Sequence, residues 1–347
     1  MRIKRYYTSP YNQEGEKRFR RRLHRFVSFW GEILYSIVMY PYFLIRYMFR
    51  RRQANESNKF EVCICAIFKN EGRYLREWLI YHLIIGVDHF YLYNNNSDDN
   101  YKEVLAPFIS ADLVTLVDWP VDHAQERAYA DCWKRFGAET HWLGYIDIDE
   151  FVNIRKYHDI HNLLRRYNAF PSLYLPWRMF GTSGEMDEPE SYFVIERYTS
   201  CWKDYCNTGK SFINCRFKNF YFPSPHYFGA RCWNSRFSIP LFGVSENYTF
   251  TYGNEIFFDC LFRIFKPRSC INHYWSKSYE WYRYKEFQRG DATGNIMENE
   301  RRQLGRFEFH ELNNSGKDFS IQRFLIFVKI AFADDDIQRL ASNFKTP

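Results

Sequence analysis

No two of the nine cysteines form a Cys-x-x-Cys pair. Cys63 and Cys65 share an apolar, strand-like run, and Cys132, Cys201, Cys206, Cys215, Cys232, Cys260 and Cys270 are scattered. An odd number cannot all pair within one chain. The spacing argues against both a zinc site and a disulfide framework, and favours a reducing compartment. No small-residue cleavage site follows the N-terminal apolar run, which argues against a cleavable signal peptide. There is no internal repeat and no low-complexity tract. Over 347 residues the chain can hold one large domain or two small ones around a substantial core.

Aromatic residues are plentiful, at 21% of the chain. Most must build the core, but such rings also stack on the C–H faces of sugars. The formal net charge of +7 is concentrated in Lys17–Arg25 and in Arg46, Arg50, Arg51 and Arg52. Between these clusters lies the apolar run Phe26–Ile45, interrupted by Gly31, Glu32, Ser36 and Pro41. Its length would permit a membrane span, but a glutamate, a proline and basic residues on both sides favour an interfacial helix drawn to anionic lipid. The expectation is peripheral attachment at the cytoplasmic face, with no nucleic-acid role for the arginines because they flank an apolar run. Asn-x-Ser/Thr sequons at Asn55, Asn95, Asn247 and Asn313 carry little weight in an Asn-rich chain.

From Phe60 the pattern alternates. Phe60–Phe68 reads as a buried strand, 73–86 as a helix ending at Gly86, Val87–Tyr93 as strand two and Leu113–Trp119 as strand three, with a short helix to Ile109 between them. Gln125–Phe136 reads as a helix and His141–Val152 as strand four. This order predicts an α/β fold with a largely parallel sheet flanked by helices. Ligands bind beyond the carboxyl ends of such strands, so Lys69–Glu71, Asn94–Asp98 and Asp147–Glu150 should meet along one edge. On an extended strand Asp147 and Asp149 would share a face, where two carboxylates suit Mg²⁺ or Mn²⁺ bridging to a diphosphate. An isolated Asp-x-Asp is common by chance, so its surroundings must decide.

Those surroundings resemble glycosyltransferase family 92 and the bacterial family-2-like transferases related to it. The likeness spans roughly 62–290 in an ordered series. It runs from Ala66-Ile67-Phe68-Lys69-Asn70-Glu71 and Gly86-Val87-Asp88-His89-Phe90 to Gln125, Ala128 and Cys132. Asp147-Ile148-Asp149-Glu150-Phe151 follows, then Trp177 with Phe180-Gly181-Thr182, then Lys210 and His226. Ile271-Asn272-His273-Tyr274 with Lys277-Ser278, Lys285 and Gly290 closes it.

The resemblance implies a GT-A-type fold and metal-assisted transfer of a sugar from a nucleotide-diphospho-sugar to a hydroxyl of a glycan or lipid-linked saccharide. It also implies inversion and a hexosyl donor, galactosyl transfer being associated with family members, as in cell-surface polysaccharide or glycoconjugate synthesis. The expected boundaries are a basic, membrane-associated segment at 1–57, a catalytic domain at 58–295 divided near 152, and a helical extension at 296–347. Asp147, Asp149 and His273 are the metal candidates, for Mn²⁺ or Mg²⁺. Lys69, Glu71, Asn95, Asp98 and Lys277 are the donor-pocket candidates, with Lys285 a further phosphate contact. Trp177, Phe180 and His226 are candidates for the acceptor side. Inversion needs a base for the acceptor hydroxyl, and Asp187, Glu185, Glu188 and Glu150 are the nearby carboxylates. Two other readings stand beside this one. A phosphodiester hydrolase would need more clustered His and Asp ligands than His226 and His273 supply, and a non-catalytic carbohydrate-binding or scaffold protein would not need Asp147 and Asp149.

Overall fold

The structure is a computed structural model. It describes residues 30, 34, 37–39, 41–45, 48, 58–121, 124–189, 192–206, 208–218, 220–224, 227–231, 240–241, 243–246, 250–251, 267–290, 300–334, 336, 337 and 339. His226 lies outside them.

The first half alternates as expected: β1 (Phe60–Phe68), α1 (Gly72–Ile84), β2 (His89–Asn94), α2 (Tyr101–Ser110), β3 (Val114–Asp118), α3 (Gln125–Phe136) and β4 (Thr140–Tyr145). β4, β1, β2 and β3 lie side by side and parallel. Every residue of β2 and β4 is buried, as in a parallel sheet covered on both faces, so these strands read as near-continuous apolar runs.

The second half begins with β5 (Glu150–Asn153), α4 (Ile160–Leu164), β6 (Ser172–Met179) and β7 (Gly209–Asn214). It continues with β8 (Gly243–Ser245), β9 (Phe250–Thr251), β10 (Cys270–His273) and α5 (Tyr279–Tyr284), followed by α6 (Glu300–Leu312) and α7 (Leu325–Ala333). The sheet order is β9-β8-β6-β7-β4-β1-β2-β3. β7 runs antiparallel to both β4 and β6, and β10 pairs parallel with β6 and antiparallel with β5. Gly144 of β4 faces Phe212 of β7, and a Cβ there would lie 2.3 Å from the ring.

The expected single strand His141–Val152 is in fact two. The chain leaves β4 after Tyr145, and the Glu150 N–H donates to the Asp147 carbonyl at 3.0 Å before β5 starts. The Glu150 carboxylate accepts the Asp147 N–H at 2.9 Å, closing the turn from the other side. Asp147 and Asp149 therefore project from a turn, and strand alternation does not set their directions.

The same core takes in both ends of the described chain. Met39 and Phe43 pack into it from the N-terminal side, and Ile321, Phe324, Val328 and Ala331 from the C-terminal side. Asp318 pairs with Arg155 and Arg178. Among the described residues no helix is long and apolar enough to cross a membrane.

Candidate active site

The loops after β1, β2 and β4 meet, as strand-end geometry requires. The Asn70 N–H donates to the Ser97 hydroxyl at 3.0 Å, and the Asp98 N–H to the Asn70 side-chain carbonyl at 2.9 Å. Trp78 of α1 donates its indole N–H to the Asp147 and Glu150 carbonyls, fixing the turn against the helix. Asn70 holds φ +51°, a left-handed conformation that asparagine tolerates better than most residues.

The two aspartates have different partners. Asp147 Oδ1 accepts from Gln125 and Tyr129 of α3, each at 2.8 Å, and Oδ2 from Lys210 of β7 at 2.7 Å. Lys210 and Glu150 are fully buried, their charged atoms 3.6 Å apart. Burial alone would lower the Lys210 pKa, but Asp147 and Glu150 outweigh it and raise the ammonium above its usual range. Burial, opposed by Lys210 and reinforced by Asp147 and Asp149, pushes the Glu150 carboxyl well up. A protonated carboxyl there spares the interior a further buried negative charge.

Asp149 faces the other side. Its Oδ2 pairs with Lys285 at 2.5 Å, and its Oδ1 lies 3.5 Å from Nε2 of His273 at the end of β10. Burial would raise the Asp149 pKa, but Lys285 and His273 outweigh it and hold the carboxyl well below the usual range. Burial lowers the His273 pKa, partly offset by Asp149. The imidazole thus favours its neutral, metal-ligating form, and its Nδ1 has no hydrogen-bond partner among the described residues.

Among the described residues no three His, Cys, Asp or Glu side chains gather as a metal-ligating group. Of the three metal candidates, Asp149 and His273 are adjacent, while Asp147 is held by Lys210, Gln125 and Tyr129. Two protein ligands still fit Mg²⁺ or Mn²⁺, which commonly take only one or two side chains and complete their shell with phosphate and water.

Lys277 follows this strand with φ +48° and is fully buried. Its ammonium sits 3.9 Å from the centre of the Tyr74 ring and 5.0 Å from that of Trp281, with no hydrogen-bond acceptor among the described residues. Burial lowers its pKa to about 8, partly offset by Asp149 and Glu71. Glu71 is itself buried and paired with Arg289 at 3.1 Å, and Arg289 also donates to the Lys69 carbonyl at 3.2 Å. Lys285–Arg289 forms a π-helical turn after α5, which brings both cations back to the site.

The other candidates separate by exposure. Asp98 is exposed, and Asn95 is half-buried with its amide donating to the Trp119 and Val121 carbonyls. Trp177 packs against His273, ring centres 4.6 Å apart. Phe180 is completely enclosed, its ring packed against Tyr274. Glu150 is equally enclosed. Glu185 is paired with Arg197 at 2.6 Å. The Glu188 carboxylate accepts from Tyr74, Tyr192 and Ser278.

Asp187 is exposed on a cleft of about 690 Å³ that is also lined by Arg73, Glu188, Glu280, Trp281 and Tyr284. Neither Asp147 nor Asp149 lines this cleft, whose wall residue Trp281 lies beside the buried Lys277. The partners of the carboxylates, rather than this cleft, therefore mark the candidate donor side. Sequence reasoning noted Lys210 only by spacing and missed Arg289, a lone basic residue before Gly290 with nothing local to mark it.

Residues 58–221 match the family model described as Glycosyltransferase family 92. A family 92 protein of Oryza sativa subsp. japonica is 38% identical over 133 residues, covering 37% of this chain and 23% of its own. One from Ricinus communis is 40% identical over 95 residues, 27% of this chain and 17% of its own. One from Arabidopsis thaliana is 33% identical over 137 residues, 38% of this chain and 23% of its own. The chain thus spans less than a quarter of the length of these curated relatives. Among solved structures, S. aureus TarS 1–349 in complex with UDP-GlcNAc is similar over 39% of this chain and 38% of its own, with 14% identity and a TM-score of 0.30.

Proposed function

We propose, from the premise that residues 58–221 match the glycosyltransferase family 92 model, that this chain transfers a sugar from a nucleotide-diphosphate donor to a hydroxyl of a glycan or lipid-linked saccharide. The observation that carries the reading is Asp149, set between Lys285 and His273, with the unpartnered ammonium of Lys277 close by. Three cationic or metal-ligating side chains around one carboxylate suit a diphosphate and its cation.

Asp149 and His273 are the residues that would hold Mn²⁺ or Mg²⁺. A bound cation supplies Lewis-acid stabilisation of the departing diphosphate. Lys277 and Lys285 add positive charge on the same side, and Glu71, paired with Arg289, fixes the loop that borders it. Asp147 does not need to touch the ion: through Lys210, Gln125 and Tyr129 it anchors the turn that presents Asp149. Asp98 and Asn95 border the donor side for base or ribose contacts. For the acceptor, Asp187 is the one catalytic candidate that is both exposed and on a cleft, and it serves as the base of an inverting transfer. The donor is a hexose, the product a cell-surface polysaccharide or glycoconjugate, and the work is done at the cytoplasmic face of a membrane. Exposed apolar side chains at Leu34, Ile37, Val38, Leu44 and Ile45 support peripheral attachment.

Isothermal calorimetry with a panel of nucleotide sugars and Mn²⁺ tests this, on the wild-type chain and on Asp149→Ala. The expected result is metal-dependent binding of at least one donor that the variant loses. Absence of any metal-dependent donor binding by the wild type would overturn the transferase reading.

A further inference from the structure

A second concave site lies at the other end of the β5–β10 ribbon. These strands are antiparallel and in register, with Glu150 opposite His273 at one end and Asn153 opposite Cys270 at the other. The first end delivers the catalytic candidates. Beyond the second, the chain continues to Lys156 after β5 and comes from Arg268 before β10. Both residues line an open cleft of about 660 Å³ with His158, Arg165 and Arg166. Four strand residues separate the two ends by roughly 10 Å, before the further length of the flanking loops is added.

The cleft carries four permanent positive charges, and among the described residues none of Lys156, Arg165, Arg166 or Arg268 is ion-paired. Two acids lie nearby, and neither forms an ion pair with these cations among the described residues. Asp159 caps α4, accepting the Asn162 N–H at 2.6 Å and its side-chain amide at 2.7 Å. The buried Glu246 carboxylate accepts the backbone N–H groups of Arg268 and Ser269. Tyr157 and Asn162 add neutral polar groups to the wall. Guanidinium groups without an ion-pair partner around a concave surface suit the oxygens of a phosphate ester.

The surroundings choose between a soluble phosphate and a lipid one. Phe43, in the helical stretch 41–45, packs its ring 5.1 Å from Phe170, and the Phe170 N–H donates to the carbonyl of Tyr167, the residue after Arg166. The helical stretch 41–45 is thus seated a few residues from Arg166. The buried side of this N-terminal segment is Met39 and Phe43, while Leu34, Ile37, Val38, Leu44 and Ile45 recur at helical spacing and are each about half exposed or more. An exposed apolar stripe next to unpaired cations matches a bilayer surface, with acyl chains for one and headgroup phosphates for the other. We propose that the cleft formed by Lys156, Arg165, Arg166 and Arg268 binds the headgroup phosphate of an anionic lipid and so orients the protein on its membrane. This deepens the membrane part of the reading above and rests on it. It does not depend on the donor chemistry.

Vesicle flotation of the full chain tests the inference, with phosphatidylcholine alone and phosphatidylcholine mixed with phosphatidylglycerol. The cleft variant carries Arg165→Ala, Arg166→Ala and Arg268→Ala, all at exposed positions. A charge-matched control carries Lys102→Ala, Lys134→Ala and Lys203→Ala, exposed residues outside the cleft. The expected outcome is loss of anionic-vesicle partitioning on the order of 100-fold for the cleft variant and much less for the control. Equal losses in both variants, or none in the cleft variant, would overturn the cleft assignment while leaving membrane attachment standing. Failure of the wild type to float with either vesicle would overturn both. Calorimetry with inorganic pyrophosphate separates the sources: a cleft variant that loses pyrophosphate binding yet keeps its vesicle partitioning shows a soluble-phosphate site and sinks the lipid assignment.

Discussion

At the residue scale the site is a set of buried charges with unequal partners. Lys277 is the least compensated of them, its ammonium facing two aromatic rings and no hydrogen-bond acceptor among the described residues. Its pKa falls from an ordinary value of 10.5 to about 8. The unfolded chain therefore holds this proton more tightly than the folded one, and stability rises with pH between about 8 and 10.5. Below pH 8 the full cost of the buried charge is present. Lys277→Met should stabilise the fold at pH 7 by on the order of 2 kcal/mol after the lost ring contacts are subtracted, and the gain should shrink as pH rises towards 10. The same substitution should weaken binding of a nucleoside diphosphate at least tenfold by removing a cation from the phosphate side. Thermal melts at pH 7 and pH 9.5, with calorimetry against UDP, check both signs. A variant less stable at pH 7 would show that Lys277 has an anionic partner in the folded chain.

At the element scale the sequence was most legible where local pattern and tertiary role agree. β1 occupies Phe60–Phe68 and α3 Gln125–Phe136, the boundaries that apolar runs and helical spacing predict. The turn between β4 and β5 was hidden because Ile146 and Ile148 continue the apolar alternation, while the hydrogen bonds that break the strand come from Glu150 folding back. Nor could local pattern separate Asp147 from Asp149, since their partners Lys210 and Lys285 lie 63 and 136 positions away. The enclosure of Phe180 depends in the same way on Tyr274, far along the chain. Gly144 shows how tightly β4 is seated, because its missing side chain is the space filled by the Phe212 ring. Gly144→Ala should cost roughly 1–3 kcal/mol as the ring is forced aside. Because the strand leads directly into the carboxylate turn, Mn²⁺-dependent donor binding should weaken as well. Urea unfolding and calorimetry on the same variant measure the two effects, and an unchanged midpoint would mean that Phe212 moves freely.

At the scale of the whole molecule, one core takes in Met39 and Phe43, the sheet and the C-terminal helix. The carboxylate turn and the basic cleft stand at opposite ends of one short antiparallel ribbon, and that arrangement has a thermodynamic consequence. If a headgroup seated in the basic cleft beyond Asn153 and Cys270 changes donor affinity by some factor, a bound donor must change vesicle affinity by the same factor, because linkage between two equilibria is reciprocal. Measuring the donor dissociation constant with and without anionic vesicles, and vesicle partitioning with and without donor, yields two ratios that must agree. A shared ratio above one would make the membrane an activator that acts through four paired residues, and a ratio of one would make it only an address.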